Sequence, residues 1–412
     1  MPHPLELESP APAALRALAE PPPLPPALPA LPEPLPPPLP LAPAPGSFSR
    51  IFRALSSAVD WLFGFATILG GVAVLSILPG LNLLGLGYLL QASGRVAATG
   101  RIRDGFVGVR KASIVGQMLF GTWLVLWPAR IVSGFWRDAN LIAPHGIAAR
   151  HWRVGLIAVS VVTLWHIAWA CFRGGRLRHF LWPAPFRFCR WLVAPRGFSQ
   201  RCDAIAEYLA SLHLARLFWI GLRGFAGAIA WLILPVSVLW AATLAPRPVA
   251  ALLSLAGMFL LLLTIIYLPF LQTNFARTGR FASLFEVREV RALFRRAPMA
   301  FWLALLITLL FALPLYLLKI ELPPRDLAWL PSLVFVAFIL PARLLTGWAV
   351  SRGLRYEQPR HAVFRWMGRL AVIPVAIIYV LFVYLTQYVS WNGSVSLLEQ
   401  HAFLVPAPVI AF

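Results

Sequence analysis

Asn82, His166, Arg223 and Arg343 stand inside long apolar runs and are the residues of this chain best placed to do chemistry. A charged or strongly polar group in hydrocarbon costs about 2.5 to 3.5 kcal/mol on insertion scales, so it either serves a purpose there or escapes toward the headgroups. Arg343, in Leu340-Pro-Ala-Arg343, precedes Arg352 by nine residues, about 13 Å along a helix. That distance favours snorkelling, with anion binding or contact to a neighbouring helix as the rival readings. Arg223 stands two turns into its run and also reads as a snorkelling side chain. His166, flanked by Trp165 and Trp169, reads as a hydrogen-bonded bundle histidine rather than a titrating one. Asn82 and Gln117 suit either a polar cavity wall or hydrogen bonds between helices. Asp60 is the one acid within or beside the apolar runs, and the lack of paired carboxylates argues against a proton-driven pump.

Motifs of soluble catalysis are missing. No Gly-x-Ser-x-Gly, Walker-type glycine loop or His-Glu-x-x-His occurs. His179, Cys189, Cys202 and His213 are separated by ten or so residues each, unlike the tight ligand pairs of zinc sites, and Cys171, Cys189 and Cys202 form no CxxC. The expectation is therefore no metal, no cofactor, no catalytic residue and no enzymatic activity.

The elements that must position these residues follow from composition. Of 412 residues 59% are hydrophobic and 12% charged, far below the charged share of about 25% in soluble domains. Apolar stretches near 58–90, 114–132, 154–172, 217–244, 249–271, 299–318, 328–350 and 370–390 are each long enough to cross roughly 30 Å of hydrocarbon as helix. The fold class is all-α, a polytopic transmembrane bundle of about eight spans. The first stretch is broken at Pro79-Gly80, so that 81–92 is either a re-entrant piece or a short ninth crossing. Residues 58–390 form the membrane domain, with 391–412 as a short tail.

Residues 1–57 read as a disordered tail, because 18 of the 38 prolines fall in the first 49 positions and bias the chain to extended geometry. A groove-bearing protein is the partner its PxxP spacings would suit. The start MPHPLELESP lacks the basic-then-apolar order of a cleaved signal, which leaves targeting to the first span.

Lys and Arg sort between the loops. Loops 91–113, 173–216, 274–298 and 351–369 carry 24 of them, and 133–153, 245–248, 319–327 and 391–412 carry 6. Basic loops stay in the cytoplasm, so the first set faces inward, in a bacterial inner membrane. With eight crossings both termini face outward; a ninth puts the N-terminus inside, as Arg50 and Arg53 favour. In the loop 173–216, arginines alternate with Phe180, Trp182, Phe186, Phe188, Trp191 and Phe198. Such mixing suits single-stranded nucleic acid or an anionic leaflet, and its place beside a span selects the lipid, with no nucleic acid expected.

Leu78-Pro-Gly-Leu-Asn-Leu-Leu-Gly-Leu-Gly87 and the passage from Tyr267-Leu-Pro-Phe270 through Phe281-Ala-Ser-Leu-Phe-Glu-Val-Arg288 to Arg296-Ala-Pro298 carry a family resemblance. They resemble an uncharacterised prokaryotic family of multi-pass membrane proteins, a domain of unknown function common in planctomycete-type bacteria. The resemblance implies the helical membrane architecture and supplies no activity. The resulting expectation is a non-catalytic envelope or assembly component, with an anionic-solute transporter centred on Asn82 and Arg343 as the alternative.

Overall fold

A bilayer offers peptide groups no water, so a chain this apolar must satisfy its backbone within helices. The computed structural model describes residues 47–144, 146–193, 198–317, 329–390 and 393–398, and every regular element among them is helical. The protein is an all-α, polytopic membrane bundle. Most of the expected proline-rich tail lies outside the described residues, but helix α1 (Ser47–Ile77) shows that 47–57 are helical. Of the tail 391–412, residues 393–398 form a short 3-10 turn, and 391–392 and 399–412 lie outside the described residues. Contacts divide the chain after Arg53, and the packing below is that of residues 54–412.

Seven stretches are long and apolar enough to cross a membrane. They are Ala54–Ile77 of α1, α3 (Val109–Val125) with α4 (Trp127–Ile142), α5 (Ile147–Phe172), Cys202–Leu244, which includes α9 (Leu214–Leu244), α10 (Arg247–Thr278), Leu330–Arg355 of α13 (Trp329–Arg355) and α14 (Ala362–Val389). An eighth arises if α11 (Val287–Arg296) and α12 (Pro298–Leu317), bent by 112°, are taken together. Three short helices, α6 (Leu177–Leu181), α7 (Pro185–Val193) and α8 (Phe198–Ala210), fill the arginine-rich connection.

The expected first stretch, 58–90, is two helices. Pro79 supplies no N–H and Gly80 adopts φ +81°, a conformation that side chains disfavour, so the chain turns and restarts as α2 (Asn82–Thr99). Eighteen residues make α2 about 27 Å long, enough for a short crossing. Near the start of α1, Trp61 and Phe65 pack on Phe106 in the loop after α2. Farther along, Val72 and Ala73 join the cluster that holds Phe335 and Val336 of α13. From Ala54 onward the two helices therefore run antiparallel, with Trp61 and Phe65 of α1 beside the loop that follows α2. The expected break at Pro79-Gly80 is therefore a turn into an antiparallel return, and α2 is not among the seven stretches long and apolar enough to cross a membrane.

α2 is the hub. It packs on α9, α10 and α13, and it can do so because small residues let backbones approach. A Cβ on Gly87 would stand 1.9 Å from the Leu217 carbonyl oxygen of α9, and one on Gly94 2.7 Å from Ala276 of α10. α3 to α5 stay at the periphery, where α4 and α5 pair with each other.

Candidate functional site

At the centre of this packing α10 carries a polar run, Gln272-Thr-Asn274, completely shielded from solvent. Buried polar atoms need partners, and α13 provides them. Arg343 is 1% exposed and its Nη1 donates to Gln272 Oε1 at 2.7 Å. Thr273 Oγ1 donates to Thr346 Oγ1 at 3.1 Å, and Thr346 Oγ1 in turn donates to the Arg343 carbonyl. Arg343 therefore does not reach for the headgroups, as its distance from Arg352 suggested. It ties α13 to α10.

One turn nearer the basic end the network becomes ionic. Asn274 Nδ2 donates to Glu289 Oε2 at 3.0 Å, and Arg277 Nη2 bridges Asn274 Oδ1 and Glu289 Oε1 at 2.7 and 3.0 Å. This fixes α11 across the end of α10. The sequence of α11, VREVRALFRR, puts Val290 and Leu293 on its buried face and arginines on the other, as a helix lying at a membrane surface requires.

Two clefts open beside α11. The first, of about 460 Å³, lies between α10, α11, α12 and α14. Ile266, Phe270, Phe294 and Phe301 wall it, and Arg291, Arg295 and Arg369 stand around it with Tyr267, whose hydroxyl accepts from Arg291 at 3.4 Å. The second, of about 380 Å³, lies on the other side of the α11–α12 corner, between Trp348, Arg352, Tyr356, Arg360 and Phe364. No carboxylate lines either one. Cationic rims over apolar walls suit an anionic amphiphile, whose charge pairs with guanidinium while its chain leaves water.

The other expected candidates lie elsewhere. Arg223 donates to the Gly279 carbonyl at the end of α10 (3.4 Å) and stands over Phe275 and Phe281 at 5.8 Å each, so it neutralises a helix C-terminus. His166 Nε2 lies 2.7 Å from the Phe180 carbonyl, joining α5 to α6, and it lines an open, largely apolar recess in which Thr163 supplies a hydroxyl. Asn82 opens α2 at the far end, half-buried, and lines neither cleft. Gln117 ties helices together: it donates to Asp60 Oδ1 at 2.7 Å and Ser113 Oγ at 3.0 Å, and accepts from the Leu177 amide. Among the described residues no three His, Cys, Asp or Glu side chains converge as metal ligands.

In the arginine-rich connection, Phe188 and Trp191 of α7 pack against Trp165, Trp169 and Phe172 of α5, which the alternating sequence does not reveal. Arg173 donates to the His179 and Trp182 carbonyls. Burial, then Arg173, Arg178, Arg176 and Arg187, hold the His179 imidazole below its ordinary pKa.

Fold and clefts together define a polytopic membrane protein with an arginine-rimmed, aromatic-walled end. Residues 209–322, the segment holding α9 to α12, match a family described as "Protein of unknown function (DUF4013)". The chain is also 31% identical, over 167 residues covering 38% of its own length and 75% of the relative's, to a protein of Nitrobacter winogradskyi named glycerol-3-phosphate acyltransferase. By that likeness it belongs, as a distant member, to the same family as that protein. No solved structure matches it. The relative bears the name of an enzyme, and this overturns the expectation that the chain has no enzymatic activity. The expectation rested on missing nucleophile and metal motifs of soluble folds, and their absence does not exclude an activity in a membrane bundle.

Proposed function

We propose that the protein is a membrane-embedded acyltransferase whose cleft around Tyr267 takes a glycerol phosphate acceptor on its arginines and the donor's acyl chain on its apolar walls, at the cytoplasmic face of a bacterial inner membrane. The observation that carries this reading is the composition of that cleft, with three arginines and a tyrosine over walls of Phe, Ile and Val and no acid among the lining residues. Guanidinium groups bind phosphate through paired N–H donors, and in a site of low dielectric they also hold charge that develops on a carbonyl oxygen during acyl transfer. The enzyme's name on the Nitrobacter relative supports the reaction class, and the 24 to 6 division of basic residues supports the side of the membrane. Anionic lipid at the arginine-rich loops is the natural surrounding. The transporter alternative loses its anchor, because Arg343 is sealed in a hydrogen bond to Gln272 and lines neither cleft.

The test is acyl transfer to glycerol 3-phosphate by the purified full-length chain, in nanodiscs, across a panel of activated acyl donors. Product is expected with the native chain, and Arg295→Gln is expected to lower kcat/KM about a hundredfold, equivalent to about 2.7 kcal/mol, with unchanged thermal stability. No product with any donor sinks the proposal.

A further inference from the structure

The geometry points to a second phosphate-ester site, in the cleft between Trp348, Arg352, Tyr356 and Arg360, separate from the cleft around Tyr267 and independent of the acyl-transfer reading. It shares no lining residue with the first cleft. Its floor is the α11–α12 corner, Ala297 to Ala300, and its walls are Trp348, Tyr356 and Phe364.

Each of its two guanidinia rests on an aromatic shelf. The Arg352 Cζ stands 5.4 Å over the Trp348 ring, and the Arg360 Cζ 4.6 Å over the Tyr356 ring. An arginine held this way has its orientation set by the ring while its N–H edge stays available for a bidentate oxyanion. The segment that carries Arg360 is tied to the α11–α12 corner. The Arg360 amide donates to the Arg295 carbonyl at 3.0 Å, and Gly368 packs against Pro298.

Among the described residues no carboxylate lines this cleft or forms an ion pair with Arg352 or Arg360. Among the described residues the ion pairs are Arg277 with Glu289 and Arg280 with Glu286, and neither reaches this cleft. Two positive charges side by side over an apolar floor repel each other unless an anion comes from outside. A phosphate ester matches the guanidinium edges in charge and shape, and its source is either a lipid headgroup of the adjoining leaflet or a soluble phosphorylated molecule.

The experiment is calorimetric titration of the full-length chain in neutral detergent, once with inorganic phosphate and once with dihexanoyl phosphatidic acid. Native chain, Arg360→Gln and Arg291→Gln are compared, the last altering the first cleft alone. The expected result is a binding component that weakens about tenfold or more, the order of one charge-assisted contact, in Arg360→Gln and persists in Arg291→Gln. Loss of the component seen with phosphate identifies a soluble ester as the ligand. Loss confined to the lipid identifies a headgroup. Should Arg360→Gln melt early, Arg352→Lys serves instead, since it keeps the charge and removes the fork, and weaker binding at unchanged melting temperature supports the site equally. The proposal is overturned if neither probe binds, or if both arginine variants of this cleft bind as the native chain does. A component lost only in Arg291→Gln belongs to the first cleft and likewise excludes a second site.

Discussion

α13 and α5 have nearly equal mean hydropathy over their most apolar stretches, 2.0 and 1.9, yet 61% of the one and 17% of the other is buried within the protein. Hydropathy thus places both helices in the membrane and says nothing about what each one faces. α13 meets α2 where Gly347 approaches Ser93, and it meets α10 through Arg343 and Thr346. α5 turns Val161, Val162 and Leu164 outward, where lipid tails serve as well as protein. The comparison teaches that the bundle has a specified half, around α2, α10 and α13, and a half whose outer face is specified by little more than apolarity.

The largest expected effect tests that division directly. Gly87→Leu in α2 drives a side chain into the Leu217 carbonyl, with no flexible neighbour to yield, and should cost more than about 3 kcal/mol. The measurement is the monodisperse fraction in detergent size-exclusion chromatography, together with the melting temperature. Gly155→Leu in α5 meets nothing within 4 Å and should change stability by less than about 0.5 kcal/mol. Equal losses would break the comparison.

A smaller effect sharpens it. Gln272→Leu removes an acceptor of a buried guanidinium and should cost about 2 kcal/mol, as should Arg343→Lys, because an ammonium cannot reproduce the planar fork. The double variant Arg343→Met with Gln272→Leu should lose clearly less than the two single losses added together, since it removes both halves of their shared hydrogen bond at once. Additive losses in thermal melting would mean that the pair acts separately. A silent Arg343→Lys would restore snorkelling.

Legibility in the sequence divides along the same line. The long helices are readable, since uninterrupted apolar runs have few alternatives in a bilayer. α2 is readable in part: the break at Pro79-Gly80 and a piece over 81–92 are legible, but Gly85, Gly87, Ser93, Gly94 and Arg95 lower its hydropathy and hide its extent to Thr99, and smallness is a signal only when the partner helix is known. Arg343 stands out in the sequence but its role does not, since sequence distance to Arg352 gives its depth and not the direction in which it points. The clefts leave no local trace. They join Tyr267, Arg291, Phe301 and Arg369 across more than a hundred positions, and the one readable clue, the spacing of Val287, Val290, Leu293 and Phe294 in α11, sits within what reads as a basic loop over 274–298.

The smallest effect concerns the peripheral half and comes from His179. Its imidazole is held below the ordinary value of 6.5 by burial and by the arginines around it. In the unfolded connection the same histidine titrates near that ordinary value. A group depressed in the folded state contributes stability that is present above the unfolded pKa and is lost as pH falls through the folded one. The packing of α6 and α7 on α5 should therefore hold at pH 7.5 and loosen progressively below about 6.5, while the specified half, where His179 has no part, stays unchanged. Hydrogen exchange over residues 177–193, expressed relative to the intrinsic amide rate at each pH, is the measurement, with α10 as the internal reference. Exchange should quicken in the first segment and not in the second. His179→Gln, which carries no charge at any pH, should flatten the dependence. Acceleration that persists in His179→Gln would assign the acid response to another group. Equal acceleration in both segments would show that the two halves open together, which is the result most damaging to the division drawn between α13 and α5.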